Sequence, residues 1–352
     1  MKTTPAFQIR DKQVGAGHPC YLIAEIGNNH HGSPDAAKAL IQAAADAGAD
    51  AVKFQTFKAE DIVSHELPAN AFPGFDVSDR FEKWIDYVRT TELAYEAYDD
   101  LIREAHAQGV AFLSTPASVE ALQLLVDKQA DAIKIASMDL NNLPFLRRVA
   151  QTGRPVILST GMSTLEEIRE AVQALGRLPL ALLHCVSTYP LQYENANLLN
   201  ISTLQDTFAV PVGFSNHALG YDLDIAAVVL GARLIEKHFT LNRKHPEMAE
   251  HHFSMEPDEF ADLVSRVRTM ERALGSRSRT LTPEEQRNRS LARRSVTVTR
   301  DLQAKDVLTA KDLVLLRPGT GIEPKHLNDV IGKRLGRTLK AFQPLAWDDL
   351  ER

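Results

Sequence analysis

Short apolar runs recur along the chain, and each is followed by a stretch in which apolar residues return every three or four positions. The runs are CYLIAEIG (20–27), DAVKFQTF (50–57), VAFLSTP (110–116), DAIKIAS (131–137), PVILSTG (155–161), ALLHCVSTYP (181–190), VPVGFSNH (210–217) and ARLIEKHFT (232–240). Near-continuous apolar runs alternating with amphipathic helices mark strands buried on both faces, and so a parallel sheet. Eight such units in 1–275 predict an α/β fold, a (β/α)8 TIM barrel, rather than an open doubly wound sheet. No G-x-G-x-x-G follows a run, which argues against dinucleotide binding.

The helices carry local signals. SPDAAKALIQAAADAG opens with Ser33 as N-cap and Pro34 at the first helical position, and closes at Gly48. STLEEIREAVQALG places Ser163 three before Glu166, the spacing of a capping box, and stops at Gly176. A final helix ends at Gly275, its stripe of Phe260, Leu263, Val264 and Val267 facing the barrel. Residues 58–84 form a connection too long for an ordinary βα loop, either a lid or a surface excursion. The polar, Arg-rich 276–292 reads as a linker, and 293–352 as a small β-rich module whose own core is marginal at that size.

Composition narrows the class. A net charge of −6 argues against a general nucleic-acid binder, and two cysteines, Cys20 and Cys185, form no disulfide framework. Neither a leader segment nor a membrane-spanning run is visible, so a cytoplasmic protein with no membrane partner is expected.

The chemistry lies at the C-terminal ends of the runs, the face on which barrels of this kind carry their sites. Those ends offer Glu25, Lys53 with Gln55, Thr115, Lys134 with Ser137, Ser159, Ser187 with Tyr189, Ser215 with His217, and Glu236 with His238. Strand alternation turns Lys53 and Gln55 inward together, and likewise Ser215 with His217 and Glu236 with His238. Polar groups converging from every strand need partners, and a polar ligand supplies them. Two lysines with several hydroxyls favour an anion such as phosphate or carboxylate. A buried lysine is also a Schiff-base nucleophile, so Lys53 and Lys134 fit an aldolase as well. His217 and His238, from adjacent strands, can hold a divalent metal, Mn2+ first and Mg2+ or Co2+ as alternatives, acting as a Lewis acid at a carbonyl. His245, His251 and His252 fall in the loop that follows, where substrate contact or solvation is expected.

The pieces AEIGNNHHGS, KFQTF, STP, KIAS, ILSTGM, LLHCVSTYP, GFSNH, EKHFTL and LLRPGTGI occur in this order, and with them the chain resembles the sialic acid synthase family. The resemblance implies a TIM barrel followed by an antifreeze-like SAF domain, and a homodimer in which that domain covers the partner's active site. It implies condensation of phosphoenolpyruvate with an open-chain N-acyl amino sugar to a nine-carbon 2-keto-3-deoxy acid, with release of phosphate. It implies His217 and His238 as metal ligands and Glu25 as the catalytic carboxylate. Lys53, Thr115, Lys134, Ser137, Ser159, Ser187 and Ser215 would hold phosphoenolpyruvate. Gln55, Asp139, Tyr189, Glu236, Glu250 and Arg317 would meet the sugar. The chain departs from the family pattern at EMAEHHFS, where Glu250 and His251 stand at the Asp-His positions, and at Met138 and Asp139, where Gly-Glu is common. These departures leave the sugar open. The competing readings are a Schiff-base keto-acid aldolase and a catalytically silent sugar-phosphate-binding protein.

Overall fold

The structure, a computed structural model, describes residues 6–72, 77–245, 250–276 and 278–351. The chain divides into two units, Met1–Gly275 and Ser276–Arg352. In the first, a hairpin of β1 (Phe7–Ile9) and β2 (Lys12–Val14) precedes eight parallel strands: β3 (Tyr21–Gly27), β4 (Ala51–Thr56), β5 (Ala111–Pro116), β6 (Ala132–Ile135), β7 (Val156–Ser159), β8 (Leu180–Cys185), β9 (Val212–Asn216) and β10 (Leu234–His238). They close into a barrel in sequence order, β10 pairing with β3. All eight runs expected as strands are barrel strands.

Alternation sorts the strand residues into two cores. Outward-facing Leu22, Ala24, Val52, Phe54, Phe112, Ile133, Leu158, Leu182 and Phe214 pack against the helices. Each fully buried Val, Leu, Ile or Phe contributes about 1.5–3 kcal/mol, and a one-residue slip of any strand would turn this set inward. Tyr21, Ile23, Ala51, Leu113, Ala132, Ile157, Leu183 and Leu234 fill the lower barrel, closed from below by Ile9 and Val14 of the hairpin. Space there is so short that a Cβ on Gly213 would lie 2.7 Å from Leu183 Cδ2.

The helix Pro34–Asp46 starts as expected, with Ser33 Oγ accepting from the Ala36 amide. The next signal is displaced by one residue. Thr164, not Ser163, caps the helix Leu165–Leu175, and its box partner is Glu167. Ser163 instead donates its hydroxyl to the Gly161 carbonyl. The long connection carries the helices Ala59–Ile62 and Trp84–Arg89 around a satellite core of Phe57, Ala59, Ala69, Val77, Ile85, Tyr87 and Val88. It is therefore a packed excursion over its described length; residues 73–76 lie outside the described residues.

In the second unit, the stretch read as a linker holds a helix, Pro283–Ala292, with a capping box between Thr282 and Glu285. No residue of that helix is buried, so it has no apolar stripe to betray it. Beyond it, β11 (Ser295–Val298) and β12 (Leu313–Leu316) pair antiparallel, and isolated bridges such as Leu302–Leu339 tie the rest together. The core of this unit is Val296, Val298, Leu302, Leu308, Ile322, Val330, Leu335, Leu339 and Leu345.

Candidate active site

Two residues beyond the apolar layer, the inward-facing position turns polar on seven of the eight strands, β8 carrying Cys185 there instead. Ile23 gives way to Glu25, Ala51 to Lys53, Leu113 to Thr115, Ala132 to Lys134, Ile157 to Ser159, Gly213 to Ser215 and Leu234 to Glu236, all buried. His217 and His238 continue β9 and β10 one step higher, also buried.

At the floor of this mouth, Glu236 sits between the two lysines. Its carboxylate accepts from Ser215 Oγ at 2.9 Å and lies 3.4 Å from Lys134 Nζ and 3.8 Å from Lys53 Nζ. The sequence grouped Glu236 with sugar contacts; the structure places it under the lysines. Burial alone would raise its carboxyl, but Lys134 and Lys53 outweigh that and hold it well below the usual carboxylate range. Lys134 donates to Ser159 Oγ at 2.8 Å and Lys53 to Thr115 Oγ1 at 3.4 Å. Burial pulls the Lys134 amine down, with Glu236 opposing.

Glu25 lies 2.8 Å from Lys53 Nζ and accepts from Gln55 Nε2 at 3.2 Å. Its carboxyl is nonetheless pushed up, because full burial outweighs the lysine. Glu250 reaches in from the loop after β10. It accepts from Gln55 Nε2 at 3.3 Å and from the Asn28 amide at 3.4 Å, and approaches His238 Nδ1 to 3.1 Å. Burial would raise this carboxyl too, but His238 holds it low.

The donor set suits a divalent cation. One ligand atom each from Glu25, His238 and Glu250 lie within 4.8 Å of one another. Glu25 Oε2 and His238 Nδ1 are buried and make no hydrogen bond among the described residues, only the close approaches given above. His217 stands beside them, its ring centroid 5.4 Å from that of His238. Its Nδ1 bonds the Val186 carbonyl at 2.9 Å and so carries the proton, leaving the Nε2 lone pair as a donor. Burial pushes His217 down to about 3, so the ring is neutral at any working pH.

The other expected residues fall around this centre. Tyr189 packs on His217 with centroids 4.1 Å apart. Ser137 Oγ accepts from the Gly161 amide at 3.0 Å, and a Cβ on Gly161 would lie 2.7 Å from that oxygen and 2.5 Å from Ser187 Oγ. Ser137, Ser187 and Gly161 therefore form one tight rim. Asp139 is half-buried, hydrogen-bonded by Asn142 Nδ2, its carboxyl raised chiefly by burial. Arg317 is exposed, at the end of β12 in the second unit.

Some of the framework was not foreseen. Asn28 joins Gln55 and Glu250 by its side chain and amide. Behind the histidines, Asn216 Nδ2 donates to Asp224 at 2.9 Å, its Oδ1 accepts from the Ala218 amide, and buried Lys237 donates to the Ala218 carbonyl. This outward-facing network fixes the turn that presents His217. Residues 246–249 of the altered loop lie outside the described residues.

The NeuB family model matches residues 40–279 and the SAF domain model matches 293–351. The chain belongs to the NeuB family. It is 37% identical over 347 residues to N,N'-diacetyllegionaminic acid synthase of Legionella pneumophila, covering 97% of each chain. It is 32% identical to pseudaminic acid synthase of Helicobacter pylori, over 95% of this chain and 98% of that one. The solved N-acetylneuraminic acid (sialic acid) synthetase of Leptospira borgpetersenii, in complex with citrate, superposes with a TM-score of 0.72 at 31% identity, covering 81% of this chain and 95% of that one. These relatives are named for three different sugar acids, so the comparison leaves the acceptor unresolved. No helix among the described residues is long and apolar enough to cross a membrane.

Proposed function

We propose that this NeuB-family chain is a nonulosonic acid synthase, condensing phosphoenolpyruvate with an open-chain N-acyl amino sugar. The observation that carries the reading is the meeting, in one buried mouth, of a lysine pair with hydroxyls and a His/Glu donor set. The lysines and hydroxyls suit an anion, and the donor set suits a Lewis acid at a carbonyl.

Lys53, Lys134, Thr115, Ser137, Ser159, Ser187 and Ser215 hold the phosphate and carboxylate of phosphoenolpyruvate. Gln55, Asp139, Tyr189 and Glu250 orient the sugar, while Glu236 fixes both lysines from below. A divalent cation, Mn2+ foremost, held by His217 and His238 with Glu25 and Glu250 within reach, would supply polarisation of the sugar aldehyde. Glu25, whose carboxyl burial raises, gives its proton to the aldehyde oxygen as C3 of phosphoenolpyruvate bonds to C1 of the sugar. The cationic C2 that results is met by water, whose proton returns to the Glu25 carboxylate. Phosphate then leaves with its bridging oxygen by cleavage of the C–O bond, taking up the proton of the new C2 hydroxyl, whose oxygen becomes the keto group. Lys53 and Lys134 offset the charge gathering on the departing phosphate.

Arg317, exposed in the SAF unit, carries a positive charge suited to the acyl group of a sugar bound by a partner subunit. On this reading the working form is a homodimer whose SAF unit covers the partner's mouth.

The test is phosphate release by the purified protein with Mn2+ across N-acetylmannosamine and the two diacetamido-trideoxy hexoses that lead to legionaminic and pseudaminic acids. Release with one sugar, abolished by EDTA, supports the reading; silence across the panel, with or without Mn2+, contradicts it. The lowered Lys134 amine favours a second reading, a Schiff-base aldolase. Borohydride reduction in the presence of pyruvate would then leave a covalent adduct on Lys134, whereas the synthase reading predicts none.

A further inference from the structure

Outside the mouth, a second group of histidines converges from two distant segments. His31 lies in the turn between β3 and the helix Pro34–Asp46, and His245 and His251 lie in the loop after β10. One ring nitrogen of each falls within 4.8 Å of the other two. His31 Nε2 is 2.7 Å from His251 Nε2, and the three rings stack with centroids 4.6–4.9 Å apart.

We propose that His31, His245 and His251 form a second divalent-metal site, of the zinc class, sharing no residue with the donor set in the barrel mouth.

Three imidazoles converging, with no carboxylate among the described residues of the cluster, are the nitrogen-rich set that Zn2+ takes with a water as fourth ligand. The proton placement agrees. Thr240 Oγ1 lies 2.6 Å from His251 Nδ1, and its single proton is directed to the Asn242 carbonyl. With Thr240 accepting from His251 Nδ1–H, the Nε2 lone pair of His251 is the one that faces His31. His31 holds a left-handed backbone at φ +48°, a conformation side chains other than Gly seldom adopt, and it is this turn that delivers its ring to the cluster. Two nitrogens on a tetrahedral ion at about 2.0–2.1 Å stand about 3.3 Å apart, so the pair at 2.7 Å must open by about 0.6 Å to admit the ion.

The site would cross-link the loop after β10 to the turn after β3. Glu250 is the neighbour of His251 in that loop, and Asn28, whose amide Glu250 accepts from, lies in that turn. A bound ion would therefore fix the Glu250 carboxylate over the mouth without entering the chemistry.

The test counts metal and is made without substrates, so it stands or falls separately from the proposed reaction. The full chain is stripped with chelator, reloaded with Zn2+ or Co2+, desalted and assayed for bound metal. Wild type should hold about two equivalents, and His245→Ala and His31→Asn about one each, with unchanged circular dichroism. Loaded with Co2+, His238→Ala should keep the intense visible bands of a tetrahedral ion and His245→Ala should lose them. His245→Cys guards against a loss that is only misfolding: it should restore the second equivalent and add a thiolate-to-Co2+ charge-transfer band absent from wild type. Equal metal content in wild type, His31→Asn and His245→Ala, or no new band in His245→Cys, overturns the proposal.

Discussion

The carboxylate of Glu250 rests against the bare Cα of Gly27: a Cβ built on that glycine would overlap Glu250 Oε2. Gly27 ends β3 at φ +53°, a left-handed position, and Glu250 arrives more than two hundred residues later in the chain. The substitution Gly27→Ala is expected to push Glu250 away from Gln55 and His238. Because a misplacement of about 1 Å in an active site can cost about 10²-fold, kcat/KM for the sugar should fall by that order while the KM for phosphoenolpyruvate stays nearly unchanged. Steady-state kinetics with each substrate varied in turn checks the split.

Glu25 carries the proton in the proposed reaction, and burial raises its carboxyl above the ordinary range. A raised value means that the acid form persists below it and is lost as pH rises through it. Activity should therefore decline on the alkaline side of that value. Glu25→Gln should lower kcat by about 10²–10⁴-fold and remove this limb from the profile. A pH series of kcat for both proteins measures it, and an unchanged alkaline limb in Glu25→Gln would assign the titration to another group.

The dimer reading is tested by complementation. Arg317→Ala and Glu25→Gln homodimers should each be nearly inactive with the true sugar. A mixed dimer joins one mouth with an intact Glu25 to a partner bearing an intact Arg317. Co-expression with different affinity tags should thus restore activity to the doubly selected species. Mixed dimers no more active than the parents would place Arg317 in its own subunit's mouth or nowhere near one.

Acid stability has a component away from the site. His184 faces outward from β8, stacks on Phe214 at 5.6 Å and bonds the Ala196 carbonyl at 2.7 Å, and its pKa is lowered because it is buried. The unfolded chain, with a histidine value of about 6.5, takes up a proton that the folded chain refuses. The stabilisation is complete above about pH 6.5 and is lost as pH falls towards the lower folded value. Urea midpoints between pH 7 and pH 5 should fall less steeply for His184→Gln than for wild type.

Much of this was legible in the residues. Period-two alternation within each apolar run sufficed to put Glu25, Lys53, Lys134, Ser215 and Glu236 on one inner face, because a strand leaves its side chains no third direction. What escaped depended on contacts made across the fold. Ser163 and Thr164 carry equal capping chemistry, and only the turn at Gly161 decides between them. The helix Pro283–Ala292 buries nothing, so no apolar period marks it. The position of Glu236 under both lysines needs the closed barrel, which sets β10 beside β3 and β9. His31 and His251 stand 220 residues apart, and nothing in either neighbourhood announces the other.

The central claim, condensation with loss of phosphate by C–O cleavage, is tested most directly with phosphoenolpyruvate labelled with 18O at the bridging oxygen. The protein, Mn2+ and each amino sugar of the panel are incubated together, and product and phosphate are weighed by mass spectrometry. The account predicts an acid whose mass is that of the sugar plus a pyruvate unit, carrying no label, and phosphate carrying all of it. Label retained in the organic product, or free pyruvate with no sugar adduct, would contradict it.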